Sequence, residues 1–375
     1  VGEQKLTLVS RGAEGRYGDH SSRRPHLSDD GRWLAFTSRA TNLVDGVSSP
    51  ESRIYLADLE SGEVELISPA DKSTRASMPR ISPDGRYVAY TAILLTDDRR
   101  LAGSHQVYVH DRDSGETITA SRTEERGLGA GGSGNAQLSE DGRYVVFQSR
   151  ATNLVDASGW SNAILRRELK SGEIELLSKT EDGRLVSGFS PRISNDGERV
   201  AFTSRNMDVF SGTGQAESMY VVRDLASGEL MLASQNSAGT PANNHNNVGA
   251  ISPDGRYAVF CSNATTLSQA HTAKIWRVFL RDLETGRLEQ ISPRIETLEQ
   301  PEGVARAVGF YGGVGVSRDA RRIVFTAKAP IGQTHESKLN KQIYLVERSA
   351  GENGRQKSGD GGQKSEGRQQ SEDDD

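Results

Sequence analysis

Short apolar runs separated by polar turns, with no helical periodicity, dominate this chain. The most regular mark is a Ser-x-Asp-Gly string followed by an apolar run, as in Ser82-Pro83-Asp84-Gly85 before Tyr87-Val88-Ala89-Tyr90. Asp-Gly between two apolar runs is typical of a tight hairpin turn, because glycine adopts positive φ without strain. The string begins at Ser28, Ser82, Ser139, Ser194 and Ser252, and a sixth copy at Ser317 has Ala320 in place of the glycine.

A second turn position follows each string at a nearly constant distance. Between the two lies another apolar run that ends in an acidic residue, as in Ile54-Tyr55-Leu56-Ala57-Asp58. The two turn positions are 30 or 31 residues apart in all six copies, and in five copies a further apolar run follows the second turn. Each unit therefore predicts four short antiparallel strands, which we name a to d in chain order.

Four-stranded sheets repeated along a chain are typical of propeller blades. We therefore predict an all-β fold, a six-bladed β-propeller, as a single domain over residues 1–351. The sixth copy lacks strand d, and Lys5–Ser10 matches the d strand at Glu63–Ser68. We expect this N-terminal strand to complete the last blade and close the ring, which removes an exposed sheet edge. Residues 352–375 contain no aliphatic or aromatic residue and predict a disordered polar tail or linker.

Two strings together, Ile81-Ser82-Pro83-Asp84-Gly85-Arg86-Tyr87-Val88-Ala89-Tyr90 and Ile54-Tyr55-Leu56-Ala57-Asp58-Leu59-Glu60-Ser61-Gly62, resemble the repeat of TolB-type six-bladed propellers. The resemblance covers residues 4 to about 351. It implies the blade fold but not one function, because such blades occur in periplasmic scaffolds, peptidase gating domains and some carbohydrate-active enzymes. We expect a periplasmic or secreted protein, since a chain that begins at Val1 is compatible with removal of an export signal.

Composition excludes several classes of function. The formal net charge is −5 and the basic residues are scattered, so no basic stripe suited to nucleic acid is present. No apolar run approaches 18 residues, so we expect no membrane insertion. The single cysteine, Cys261, allows no intramolecular disulfide and is interpreted as a small buried hydrophobe.

Loop lengths make the two ends of the predicted sheets unequal. The a–b and c–d connections are tight and emerge at one end, which we call the tight-turn face. The b–c and d–a connections are long and mutually different, and they emerge at the long-loop face, where binding residues are expected. The repeated acids before the second turn are interpreted as turn chemistry rather than a cation-binding ring; they are Asp58, Asp111, Glu168, Asp224, Asp282 and Glu347.

Candidate binding residues are those that differ between copies. At the starts of the innermost strands we expect polar side chains at the mouth of a central channel: His26, Arg80, Gln137 and Arg192, with Asn135 and Asn247 close by. Two arginines suit a carboxylate or a carbonyl-rich segment, and a water-filled channel is the alternative. His245 lies on the same face, with Trp160 in a b–c loop and Tyr311 in a d–a loop; the aromatics suit a sugar ring or a peptide, or pack the loops together.

No catalytic residue is predicted. A metal site built from His26, His245 and a b–c loop histidine is conceivable, but no two histidines show ligand spacing, so we predict no metal and no cofactor. No G-x-S-x-G elbow is present for a hydrolase. The preferred hypothesis is a non-catalytic, monomeric propeller that binds a protein or peptide outside the cytoplasm. The alternative is a carbohydrate-binding or carbohydrate-active propeller, including a metal-dependent lyase.

Overall fold

The structure is a computed structural model of the 375-residue chain. It describes residues 8–12, 15–70, 74–94, 104–156, 162–205, 209–210, 216–267, 276–292, 309–328 and 341–348. Residues 5–7 of the proposed closing strand Lys5–Ser10 lie outside the described residues, and residues 8–10 are described but are not in a strand. The predicted polar tail, residues 352–375, lies wholly outside the described residues.

The named elements of the described residues are all β-strands, in six sheets of three or four strands and one short ribbon. The first two sheets are β1 (Ser22–Leu27), β2 (Trp33–Ser38), β3 (Arg53–Asp58) and β4 (Val64–Leu66), then β5 (Thr74–Ile81), β6 (Tyr87–Leu94), β7 (His105–Asp111) and β8 (Thr117–Thr119). The ribbon is β9 (Arg122–Thr123) and β10 (Gly127–Leu128). The third and fourth sheets are β11 (Ser133–Leu138), β12 (Tyr144–Ser149), β13 (Ala163–Glu168) and β14 (Ile174–Leu176), then β15 (Gly188–Ile193), β16 (Arg199–Ser204), β17 (Met219–Asp224) and β18 (Leu230–Leu232). The last two are β19 (Asn246–Ile251), β20 (Tyr257–Ser262), β21 (Arg277–Asp282) and β22 (Leu288–Gln290), then β23 (Gly309–Val316), β24 (Arg322–Lys328) and β25 (Lys341–Glu347).

Each sheet is antiparallel and follows chain order, so strands a to d are direct neighbours. This confirms the all-β class and the four-stranded units. Strands b and c are the most buried, because consecutive sheets pack against one another; every residue of β3 and β20 is buried. The core therefore lies between sheets, as where Leu56 of the first sheet packs with Val88 and Tyr90 of the second.

The predicted Asp-Gly turns are confirmed, and their glycines have a second role. In the first sheet Ser28 N donates to Trp33 O at 2.9 Å, and Gly31 has a φ of 75°. The glycine of one turn also receives an aromatic ring from the preceding sheet. A Cβ added at Gly142 would lie 1.9 Å from the ring of Tyr87. These glycines therefore serve both the turn and the contact between sheets.

Every innermost strand contains an irregularity that the sequence did not predict. The register of strand a against strand b shifts in all six sheets. Four non-glycine residues there adopt positive φ between 52° and 58°: Arg24, Met78, Asn135 and Ser190. Such a bulge bends the strand and changes the direction of its side chains. The a strands of successive sheets contact one another from β1 through β23, and we call the region they line the channel.

The d–a connections are less variable than the sequence suggested. Three isolated bridges, Arg11↔Tyr17, Lys179↔Leu185 and Gln235↔Pro241, and the ribbon β9–β10 form the same small hairpin at four places. Each hairpin follows a serine and contains a positive-φ glycine five or six residues later. The expectation of mutually different d–a loops was therefore wrong for these four. Their sequences differ around the turn, which hid the glycine that all four place at an equivalent position.

Candidate functional site

Arginines on the tight-turn face each bind the acid that precedes the second turn. Arg256 Nη2 donates to Asp282 Oδ2 at 2.8 Å, and the backbone N–H groups of Glu284 and Thr285 donate to Asp282 Oδ1. The corresponding pairs are Arg32–Asp58, Arg86–Asp111, Arg143–Glu168, Arg199–Asp224 and Arg322–Glu347. The guanidinium of Arg86 lowers the pKa of Asp111 to about 2. These contacts confirm the interpretation of the acids as turn chemistry, and they add an arginine partner that the sequence analysis missed.

The predicted channel residues occupy one equivalent position in four sheets. His26, Arg80, Gln137 and Arg192 are each the next-to-last residue of an a strand. The expectation that they start these strands was wrong, because the strands begin earlier, at Ser22, Thr74, Ser133 and Gly188. They therefore lie deep in the channel, near the tight turns. The fifth and sixth sheets hold the small residues Ala250 and Gly315 at this position.

Arg80 and Arg192 are half-buried in the channel. Each donates through Nη1 to the carbonyl of its preceding proline, at 2.8 Å in both cases. Within the described part of the chain, no carboxylate lies within salt-bridge distance of either group. Burial, with the nearby charge of Arg192, lowers the pKa of Arg80 to about 10, and burial also lowers that of Arg192. Both nevertheless remain charged at neutral pH.

His26 lies close enough to Arg80 and Arg192 for their charges to act on it. Its Nδ1 accepts from the backbone N–H of Ile81 at 3.3 Å, which links the first and second sheets. Burial and the charges of Arg80 and Arg192 lower the pKa of His26 to about 4. The imidazole is therefore neutral at physiological pH, and the positive charge in this part of the channel comes from the guanidiniums.

Tyr220 is a site residue that the sequence analysis did not identify. It is fully buried in β17, its hydroxyl has no hydrogen-bond partner among the described residues, and the charge of Arg192 acts on it. Its ring fits against the a strand of the fifth sheet because Gly249 has no side chain there; a Cβ would lie 2.5 Å from the hydroxyl. The other five copies hold Ile54, Val107, Ile164, Val278 and Ile343 at this position. A comparison of the six c strands would therefore have revealed Tyr220.

The remaining predicted site residues do not join this group. Asn135 Nδ2 donates to Gln148 Oε1 at 3.0 Å, and the same oxygen accepts from Ser190 N, so this amide pair connects the third and fourth sheets. Asn247 is exposed in β19.

Two aromatic predictions fall wholly or partly outside the described residues. Trp160 lies outside them altogether. Tyr311 has its backbone in β23 rather than in a d–a loop, because this inner strand is eight residues long; its side chain is outside the described set.

His245 lies on the long-loop face with an aromatic neighbour that the sequence analysis overlooked. Its ring stacks on Trp276 at 6.2 Å between centroids, and its Nε2 lies 3.0 Å from Glu217 Oε2. Within the described residues no three His, Cys, Asp or Glu side chains come together in a way that suits a metal ion. Nor does any described helix have the length and apolar character needed to cross a membrane.

The tight-turn end of the channel is crossed by contacts between the turns. Glu140 Oε2 accepts from Asn195 Nδ2 at 2.9 Å and lies 3.7 Å from Arg318 Nη2, so side chains of the third, fourth and sixth sheets meet. Two backbone hydrogen bonds also connect neighbouring turns: Asn195 N donates to Pro253 O at 2.8 Å, and Asp29 N donates to Pro83 O at 3.0 Å. Burial and the charge of Glu140 raise the pKa of Asp29.

Two cavities lie elsewhere, beside strands c and d. The larger, about 1020 Å³, borders the first sheet and is lined by Arg11, Trp33 and Arg112 among others. The smaller, about 360 Å³, borders strands of the fourth and fifth sheets near Met231 and Arg281. Both adjoin d–a hairpins of the kind found at four places, so their framework recurs around the molecule.

Solved structures show the fold of this chain. No protein-family model and no curated protein matches it. An oligogalacturonate lyase from Vibrio parahaemolyticus is 14% identical with a TM-score of 0.54, over 90% of this chain and 79% of the other. Another oligogalacturonate lyase, in complex with manganese, is 13% identical with the same TM-score, over 89% of this chain and 78% of the other. A protein assigned as TolB from Agrobacterium tumefaciens is 18% identical over 72% of this chain and 80% of the other, with a TM-score of 0.43. At these identities the likeness shows a propeller fold and nothing about activity.

Proposed function

We propose that this chain is a non-catalytic binding propeller that engages a protein or peptide through its long-loop face and channel, outside the cytoplasm. The observation that carries the proposal is the pair Arg80 and Arg192, two half-buried guanidiniums with no carboxylate beside them in the described residues. Burying charge without a partner destabilises a fold. A ligand with a negative charge would compensate the charge of these two side chains.

The binding hypothesis includes a ring of six blades closed by the N-terminal strand. Six sheets of the same strand order support that count, together with the contact between Arg318 of the sixth sheet and Glu140 of the third. The hairpin at Arg11↔Tyr17 supports the closure, because the equivalent hairpins come directly after the d strands β8, β14 and β18. By this equivalence we propose that the strand Lys5–Ser10 takes the d position of the sixth sheet.

Partner capture tests the binding proposal. The full chain is used as bait against the extracytoplasmic fraction of its source, beside a variant with Arg80→Met and Arg192→Met. Methionine keeps much of the side-chain volume and removes the charge. We expect a partner that the natural chain retains and the double variant loses.

The control for this capture is Arg287→Met with Arg321→Met, which removes two exposed arginines from the tight-turn face. It is expected to retain the partner. Capture that survives the channel substitutions, or is lost equally in the control, contradicts the proposal.

A carbohydrate ligand is the second candidate, and the stacked pair His245 and Trp276 with Glu217 favours it. An aromatic ring beside hydrogen-bonding groups on the long-loop face suits a sugar. Galacturonate, which also carries a carboxylate, is the appropriate probe. Binding that Trp276→Ala abolishes, without loss of the captured protein partner, supports this candidate; no binding of galacturonate removes it.

A further inference from the structure

We infer that the channel is a one-ended pocket for the terminal carboxylate of a peptide chain, bound by Arg80 and Arg192, with Tyr220 as a further binding residue near Arg192. This inference rests on the proposed function and specifies its ligand. Three features support it: the closed tight-turn end, the depth of the arginines, and a buried hydroxyl near Arg192 that has no partner among the described residues.

The contacts at the tight turns make the channel one-ended. Glu140 binds Asn195 of the next sheet and approaches Arg318 of the sixth sheet. The backbone bonds from Asn195 to Pro253 and from Asp29 to Pro83 bring in the turns of the fifth, first and second sheets. Turn residues from all six sheets thus form a floor, and a chain does not pass through it. A ligand enters and leaves from the long-loop face.

The position of the arginines in their strands requires a slender ligand. Arg192 lies four residues after the start of β15, and a strand rises about 3.3 Å per residue, so the guanidinium stem begins about 13 Å below the strand start. A flat protein surface does not reach this depth, whereas a chain end of about four extended residues does. Ala250 and Gly315, at the corresponding position of the fifth and sixth sheets, leave space beside it.

The polar groups at this depth match a carboxylate. Tyr220 is 0% exposed, and its hydroxyl lacks a partner in the described part of the chain. An unmade hydrogen bond of a buried hydroxyl is unfavourable, so a ligand that accepts it is favoured. A carboxylate has two oxygens that accept several bonds, which suits one hydroxyl and two guanidiniums. His26 is neutral at physiological pH, so the charge that attracts the carboxylate comes from the two arginines.

Short peptides of defined ends test the inference on the full chain. The probes are N-acetyl-tetraalanine as the free acid, the same peptide as its amide, and an amide of equal length with an internal aspartate. Calorimetric titration gives each affinity. We expect saturable binding of the free acid, and at least tenfold weaker binding of the amide and of the internal carboxylate, because only the terminal group reaches the arginines.

Tyr220→Phe isolates the contribution of the hydroxyl. One hydrogen bond to a charged group corresponds to about tenfold in affinity, so the variant should bind the free acid about tenfold more weakly. Its thermal unfolding midpoint should not fall, since the hydroxyl makes no hydrogen bond to the described residues. Tyr90→Phe, a buried tyrosine stacked on Tyr108 in the second sheet, is the control and should keep the affinity unchanged.

Each outcome separates this inference from the proposed function. Equal binding of acid and amide, no binding of any probe, or an unchanged affinity in Tyr220→Phe overturns the terminal-carboxylate inference, even where partner capture still depends on Arg80 and Arg192. Partner capture that ignores both arginines, together with no peptide binding, overturns both.

Discussion

Arginine side chains occupy two regions of this molecule with opposite surroundings. On the tight-turn face each repeat places an arginine against a carboxylate, as in Arg256 with Asp282, and the pKa of that arginine is raised. In the channel Arg80 and Arg192 face no carboxylate among the described residues, and burial lowers their pKa. The first set recurs in all six copies of the repeat, whereas the second occurs in only two.

This contrast shows how a repeated scaffold can separate the residues that stabilise the fold from those that bind a ligand. A contact that recurs in every copy stabilises the unit, and its loss should weaken the fold. A charge that occurs in one or two copies without compensation does not stabilise the fold, and such groups are typical of binding sites. Substitutions of the tight-turn arginines and of the channel arginines should therefore have opposite effects on stability.

The largest loss of stability is expected at a turn glycine on the tight-turn face. Gly142→Ala places a Cβ 1.9 Å from the ring of Tyr87 and requires an alanine at a φ of 63°. Overpacking and left-handed backbone together should lower the free energy of unfolding by about 3 kcal/mol. Denaturant unfolding measures this. Gly132→Ala, which meets open space, is the control and should change stability by less than about 0.5 kcal/mol.

A pH dependence specific to the channel comes next. The folded state holds the pKa of His26 at about 4, against 6.5 for an ordinary histidine, so only the unfolded chain binds this proton between those values. Stability should therefore be complete above pH 6.5, fall as the pH drops toward 4, and level off below, by up to about 3 kcal/mol. Unfolding curves from pH 4 to 7 should show a flatter profile for His26→Gln. Identical profiles for the two proteins would show that His26 is not buried beside the arginines.

A smaller loss of stability is expected from one acid of the repeated pairs. Asp282→Ala removes the acceptor of Arg256 and of two backbone N–H groups, which should lower the free energy of unfolding by about 1–2 kcal/mol. Glu284→Ala removes only the exposed second carboxylate near Arg256 and should change it by less than about 0.5 kcal/mol. An equal effect of both substitutions in urea unfolding would argue against a special role for the repeated acid.

The tight turns and the strands that flank them could be predicted from the sequence, because local residue chemistry specifies them in every copy of the repeat. Asp-Gly turns require particular φ values, so the strands around Ser28 or Ser252 could be predicted from residue type alone. Strand a was harder, because residues such as Met78 and Ser190 carry the bulge with side chains that have no preference for it. Because the bulge was not predicted, strand a was predicted to start too late, and Arg192 was placed too near the mouth of the channel. Tyr220 was missed because it lies within an apolar run, where only its difference from the other copies is a signal.

The most direct test of the account is the stability of the chain with Arg80→Met and Arg192→Met, measured by urea unfolding beside Arg256→Met. We expect the channel variant to be as stable as the natural chain or more stable by about 1 kcal/mol, because two half-buried charges that have no carboxylate beside them in the described residues are removed. We also expect Arg256→Met, which breaks a repeated pair, to be less stable than the natural chain. A channel variant destabilised by more than about 2 kcal/mol would show that these arginines hold the fold together, and would contradict their assignment to a binding site.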